Sequence, residues 1–180
     1  MTLAFAKEIR AAKADGRLVR VLRGAFDEEG NAGYVVATGR SWFVLELVTQ
    51  SARFDGMACM RYSDVTTFAP EPHTAYLERA LEARGAVRAS QAPVDLSSLP
   101  AIIESSAKAF PVITLHTPSE EMQYECYIGK VIAMNTETVD FCHITRDAEW
   151  EEFLREIPFS EIIRVDFGGD YEEALFLAAV

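Results

Sequence analysis

Phe5, Ile9 and Ala12 stand at i, i+4 and i+7, the spacing that lines one face of a helix with apolar side chains. Thr2 is a capping residue ahead of them and Asp15-Gly16 a stop behind them, so residues 2–15 are predicted helical. From Leu18 the period shortens to apolar runs broken by turn residues. Leu18–Leu22, Gly33–Thr38, Trp42–Thr49, Met57–Tyr62 and Asp64–Phe68 read as five strands. Asp27-Glu28-Glu29-Gly30-Asn31 and Phe54-Asp55-Gly56 are turns, and Gly39-Arg40-Ser41 is a hairpin connection. Pro70 and Pro72 stop the sheet. His73–Arg84 reads as a connecting helix ended by Gly85, and residues 86–97, rich in Ala, Ser, Gln, Pro and Asp, as a linker.

Ser98 as N-cap and Pro100 near the first helical position then predict a helix over Leu99–Ala109. Five more strands follow at Val112–Thr117, Cys126–Met134, Thr138–Thr145, Phe153–Ile157 and Glu161–Phe167. Thr117–Gln123 and Asp147–Glu152 are polar loops, and Asn135-Thr136-Glu137 is a hairpin turn. Asp170–Val180 closes the chain as a short helix or an extended arm.

The two series repeat one another about 96 residues apart. Gly33-Tyr34-Val35-Val36-Ala37 returns as Gly129-Lys130-Val131-Ile132-Ala133. Leu45, Val48 and Thr49 return as Phe141, Ile144 and Thr145, and Ala52 and Phe54 as Ala148 and Trp150. With one inserted residue, Ser63-Asp64-Val65 returns as Ser160-Glu161-Ile162. Such a pattern implies two small similar domains in place of one larger one. The expected division is residues 1–72 for a helix and first domain, 73–97 for the connection, and 98–180 for a helix and second domain with its C-terminal arm.

A helix followed by five short antiparallel strands, with a glycine in the second, suits a small bent barrel. Glycine inside a strand marks a bend or a close backbone approach, and small barrels need such bends to close. Gly33-Tyr34-Val35-Val36 with Val65-Thr66-Thr67-Phe68, and Gly129-Lys130-Val131-Ile132 with Glu161–Phe167, resemble strands of Sm-like, or SH3-like, domains. The second copy also resembles an uncharacterised bacterial family of such proteins, in Tyr127–Ala133 and Arg164–Tyr171. The resemblance implies a mainly β chain with short helices (α+β): two tandem five-stranded, bent-sheet barrels, each preceded by a helix. RNA-binding Sm proteins carry an Asp and an Asn after the start of the third strand, and an Arg-Gly between strands four and five. The corresponding segments here run from Gly39-Arg40-Ser41 to Leu47, over Met60-Arg61-Tyr62-Ser63, and over Ile157-Pro158-Phe159-Ser160. Arg61 alone matches, so RNA binding is not carried over with the fold.

Charge points the same way. The chain has 28 acidic and 17 basic residues, a net charge of −11, and its arginines gather in the first half at Arg17, Arg20, Arg23, Arg40, Arg53 and Arg61. A phosphate backbone needs clustered cations, so nucleic acid is disfavoured as a partner. A composition 49% hydrophobic and 25% charged is that of a globular chain. No run approaches the ~18 apolar residues of a membrane span, and Lys7, Glu8 and Arg10 interrupt any signal-peptide core. The expectation is a cytoplasmic protein with no membrane partner. Cys59, Cys126 and Cys142 have no paired spacing and are expected to be reduced thiols, mostly buried.

Candidate chemistry is sparse. Cys142-His143 with Cys126 or His116 is the best metal set, yet adjacent strand residues point to opposite faces, so no metal and no cofactor are expected. Asp147, Glu149, Glu151 and Glu152 surround Trp150 without the spacing of a calcium loop. With Arg61 they are the expected interaction surface. Trp42, Phe43, Phe54 and Tyr62 are either core or a peptide groove. Gly168-Gly169-Asp170 lacks the lysine of a phosphate loop, and no nucleophile–base–acid set stands out. The expected function is therefore non-enzymatic: binding of a protein partner or self-association as a homo-oligomer. The alternative is an acidic inhibitor or immunity-type protein covering a basic partner. A small-molecule enzyme ranks third, to be revived by a pocket lined by Cys142, His143 and several carboxylates.

Overall fold

The structure, a computed structural model, describes residues 5–24, 26, 29–119 and 124–179. The predicted cap Thr2, the Asp27-Glu28 part of the first turn, residues 120–123 of the polar loop and Val180 lie outside the described residues. The chain is mainly antiparallel sheet with short helices, and divides into two units, Met1–Ala92 and Pro93–Val180.

In the first unit, α1 (Ala6–Asp15) leads into β1 (Leu18–Leu22), β2 (Asn31–Thr38), β3 (Trp42–Val48), β4 (Phe54–Arg61) and β5 (Thr67–Pro70), and α2 (Thr74–Ala83) follows. The strands lie in the order β5-β1-β2-β3-β4. Apolar runs, not strict alternation, mark β2 and β3 because both faces of the sheet are covered. Ile9 and Ala12 of α1 pack on Val19, Val21, Val35, Phe43 and Leu45. Leu77 and Leu81 of α2 pack with Leu18, Tyr34 and Val48 in a separate core. Each such buried leucine contributes about 2 kcal/mol.

The helix expected to connect two domains therefore belongs to the first, and the expected boundaries at 72 and 97 give way to one at Ala92/Pro93. Part of the supposed linker is also held on this unit. The Ala89 N–H donates to Glu46 Oε1 at 2.9 Å, the Arg88 guanidinium stacks 4.7 Å from the Tyr34 ring, and Arg88 donates to the Gly16 carbonyl. Glu46 is buried in β3, and that burial raises its carboxyl above the usual carboxylate range.

The second unit repeats the plan: α3 (Leu99–Ala109), β6 (Ile113–Pro118), β7 (Tyr124–Met134), β8 (Thr138–His143), β9 (Arg155–Pro158), β10 (Arg164–Phe167) and α4 (Asp170–Ala178), with strand order β10-β6-β7-β8-β9. The Ala101 N–H donates to Ser98 Oγ at 3.2 Å, which is the expected cap. The tail is a helix, and Leu175 packs with Val112, Ile128, Ile144 and Ala148.

Neither unit closes into the expected barrel. In each, the last strand pairs with the first and not with the fourth. Barrel closure needs strands long enough to stagger through its shear, and β5, β9 and β10 have four residues each. A 3₁₀ turn at Tyr62–Asp64 replaces the start of the strand expected at Asp64. Trp42, Phe43 and Tyr62 are buried and Phe54 is half-buried, so these aromatics are core and form no peptide groove.

The central hairpins share one register. Gly33 faces Leu47, Val35 faces Leu45 and Ala37 faces Val44, with a bulge between Val35 and Ala37. Gly129 faces His143, Val131 faces Phe141 and Ala133 faces Asp140, with a bulge between Val131 and Ala133. A Cβ at Gly33 would lie 2.2 Å from the Glu46 carbonyl oxygen, and one at Gly129 2.0 Å from that of Cys142. Close backbone approach, not positive φ, is what requires both glycines. The turns after β3 and β8 match as well: Ala52 and Ala148 are left-handed, at φ 55° and 60°, and each N–H donates to the carbonyl of a threonine, Thr49 or Thr145.

Candidate functional site, a cleft in the second unit

His116 occupies the middle of β6, opposite Cys126 on β7 and opposite Arg164 on β10. Thr114, two residues back, faces Ile128 and Asp166. The period of two along each strand puts these side chains on one face of the sheet, where cross-strand neighbours meet. The N-terminal half of α4 covers that face, held by a 2.7 Å hydrogen bond from the Thr114 hydroxyl to Glu172. Between them lies a cleft of about 900 Å³.

A chain of polar contacts crosses its floor. Arg164 Nε donates to Asp166 Oδ1 at 2.6 Å, His116 Nε2 stands 3.1 Å from Asp166 Oδ2, and His116 Nδ1 stands 3.2 Å from Cys126 Sγ. Arg164, Asp166 and His116 are buried, whereas Cys126 opens to the cleft. Burial alone would raise the Asp166 carboxyl. Arg164, and after it His116, outweigh burial and hold the group well below the usual carboxylate range. An ionised Asp166 accepts from Nε2–H, which leaves Nδ1 of the neutral imidazole as acceptor and the Cys126 thiol as donor. Loss of water around the sulfur, and then the negative charge of Asp166, push that thiol up to about 11. It is protonated at neutral pH and points its hydrogen at a base.

The walls are mixed. Ile128, Ile144 and Leu175 supply apolar surface, and the Tyr124 ring lies 5.2 Å from that of His116. Tyr127 donates its hydroxyl to Glu125 and sets its ring edge-on to His143, whose Nδ1 is 2.9 Å from the Ile128 carbonyl. Arg146 at the rim is exposed and makes no ion pair among the described residues.

The sequence-predicted residues are distributed otherwise. The metal set is divided: His116 and Cys126 meet, His143 lines the wall, and Cys142 directs its thiol toward the Glu151 carbonyl. Among the described residues no group of three or more His, Cys, Asp and Glu is placed to hold a metal ion. Within the acidic surface, Glu151 is engaged by Arg155 through two hydrogen bonds, and Trp150 is half-buried beneath Lys130, 4.3 Å from its ring. Asp147, Glu149 and Glu152 remain exposed. Arg61 in the first unit donates to Asp64 at 2.8 Å and lies over the Trp42 ring. The cleft is lined by His143 and the carboxylates Glu125, Asp166 and Glu172 but by Cys126 in place of Cys142, so it is not the pocket of Cys142, His143 and several carboxylates named from the sequence.

Sequence reasoning missed the His116–Asp166 contact because spacing alone does not reveal register. One signal was present: polar residues at alternate positions, Thr114 with His116 and Arg164 with Asp166, in otherwise apolar strands.

The first unit has a cleft in the same place, about 620 Å³, between the sheet and α2. Its floor carries a 2.7 Å ion pair from Arg20 to the buried Glu71, and His73 and Tyr76 stand on its helical side. Leu22 faces Thr67 there as His116 faces Arg164, and Arg20 faces Ala69 as Thr114 faces Asp166. No family model, curated protein or solved structure matches the chain. No helix of the described residues is long and apolar enough to cross a membrane.

Proposed function

We propose that this chain is a binding protein made by internal duplication of one Sm-like module, each module seating a small organic ligand in the cleft between its sheet and its trailing helix. The observation that carries this reading is recurrence: the same hairpin register, the same bulge and the same left-handed alanine frame a cleft at the same place twice. Strand order β5-β1-β2-β3-β4 in one unit and β10-β6-β7-β8-β9 in the other supports the duplication. Clefts of this size, apolar with a few convergent polar groups, suit small ligands. The engagement of Arg61 by Asp64 and Trp42 supports a protein that does not bind RNA, and a cytoplasmic place fits the same reading. A fragment screen on the full chain, followed by two-dimensional NMR, tests the cleft. Shifts are expected at Ile128, Ile144 and Leu175, and hits confined to other surfaces would overturn the reading.

A second reading rests on the loop between β8 and β9. Phe153 and Leu154 are 58% and 51% exposed, beside Glu149 and Glu152. An apolar pair rimmed by acids suits a basic protein partner, as in an inhibitor or immunity-type protein. Salt-sensitive capture of such a partner, lost in Phe153→Ser, is its test.

A further inference from the structure

We infer that Cys126 is a nucleophile, with His116 as its general base and Asp166 as the residue that positions and charges that base, and that the second cleft accepts an activated ester or thioester with a short apolar acyl group. The inference rests on reading this cleft as a ligand seat.

The first unit acts as the control. On the same strand register it has Leu22 in place of His116, Thr67 in place of Arg164, Ala69 in place of Asp166, and Gly30 beside Leu22 where Cys126 stands beside His116. The first unit therefore folds with an ion pair from Arg20 to the buried Glu71 and without the Arg164–Asp166–His116 chain. Taking Arg164, Asp166 and His116 out of water is costly, and well-packed apolar residues of similar volume often replace such groups without loss of stability. What the chain provides is chemical: a thiol whose proton is aimed at an oriented imidazole, at the open end of a buried charge network. Geometry of this kind, a nucleophile on a base held by a third group, is what acyl transfer to sulfur requires. Ile128, Ile144 and Leu175 give the acyl group an apolar wall.

The step balances without an oxidant or reductant. Cys126 Sγ forms a bond to the acyl carbon as its proton passes to His116 Nδ1, and the imidazolium is stabilised through Nε2–H by Asp166. The tetrahedral adduct collapses, the bond to the leaving oxygen or sulfur breaks, and the departing alcohol or thiol takes the proton from Nδ1. The products are S-acylated Cys126, the free alcohol or thiol, and neutral His116.

Full-length protein exposed to para-nitrophenyl acetate, and separately to phenyl thioacetate, is the test, with peptide mass mapping to read which cysteine gains one acetyl group. Acylation of Cys126 is expected about 100-fold faster than that of Cys142, to fall by a similar factor in His116→Gln, and to vanish in Cys126→Ser. The pH profile of the unmodified protein is independent of any variant. With His116 as base the rate levels off well below the thiol's own titration near 11, whereas an unassisted thiol gains about tenfold per pH unit up to it. Cys126 reacting no faster than Cys142, or a rate that keeps climbing with pH, overturns the inference. If fragments bind the cleft but neither probe transfers its acyl group, the chemistry fails and the proposed function stands; if fragments bind only elsewhere, both fail.

Discussion

The two units share a backbone plan and differ in what they bury. Around its cleft the first places the ion pair of Arg20 with Glu71 and leaves Leu22 and Ala69 in the strand positions beneath. The second fills the equivalent positions with His116 and Asp166, ties Arg164 to them, and sets Cys126 at the open end. The difference shows which features belong to the fold. Glycine at the close strand approach, the bulge two residues later and the left-handed alanine occur in both units and are architecture. Among the described residues the polar chain belongs to the second unit, and the shared architecture does without it in the first.

The hardest blow to this comparison would fall on the glycines. Gly33→Ala and Gly129→Ala each drive a methyl group into a carbonyl oxygen of the facing strand, and each is expected to destabilise its own unit by about 4 kcal/mol. Hydrogen exchange read at Val21 for the first unit and Leu115 for the second would register the loss. A unit that tolerates its alanine does not share the register of the other.

Next in size is Asp166→Asn, which removes the buried carboxylate that pairs with Arg164 Nε and is expected to cost the second unit about 3 kcal/mol. Its pH signature has a definite sign. The folded Asp166 carboxyl titrates below its unfolded value, so its contribution is present above about pH 4 and is lost as pH falls through the folded value. Acid titration followed by exchange at Leu115 should therefore destabilise the wild type steeply and the asparagine variant less so. Parallel acid profiles would remove Asp166 from the network.

Glu46 in the first unit works in the opposite sense and more weakly. Its carboxyl is raised by burial, so the fold favours the protonated form, and this unit loses stability as pH rises from the unfolded carboxyl range through the raised value. Glu46→Gln keeps an acceptor for the Ala89 N–H and removes the buried charge; it should stabilise the first unit at neutral pH. Denaturant midpoints compared in mild acid and in mild alkali would check this, and a destabilised variant would show that the ionised carboxylate is used. The smallest expected effect is nil: titration with single-stranded RNA at physiological salt gives no binding, and Arg61→Ala leaves that result unchanged. Micromolar affinity lost with Arg61 would mean that the first unit keeps the RNA face of its resemblance.

Much of the frame was legible because local rules decide it. Leu18–Leu22 and Leu99–Ala109 form the predicted strand and helix residue for residue, the latter started by Ser98 and Pro100. Gly39-Arg40-Ser41 and Asn135-Thr136-Glu137 both turn hairpins as expected. What escaped the sequence was decided over long separations. His73–Arg84 has the pattern of any amphipathic helix, and only Leu18 and Tyr34 beneath it show that it covers the first sheet. Asp64 was expected in a strand, but it binds Arg61 and Ser63, and local side-chain bonds of this kind favour a turn. His116 and Asp166 lie 50 residues apart and meet only because β6 pairs with both β7 and β10. Glu151 counted toward an acidic surface until Arg155, four residues on, claimed it.

The length differences between the two units fall outside the central hairpins β2–β3 and β7–β8. From Gly33 through Phe54, and from Gly129 through Trp150, the two segments match position for position; the extra residues lie before the second strand and within the stretch leading to β9. For protein engineering these segments are interchangeable cassettes. Moving residues 129–150 into the place of 33–54 would transplant His143 and Arg146 to the wall of the first cleft while leaving His116, Asp166 and Arg164 in their own strands. The wall of the cleft and the buried polar chain can thus be exchanged separately, with joints at a glycine and an aromatic.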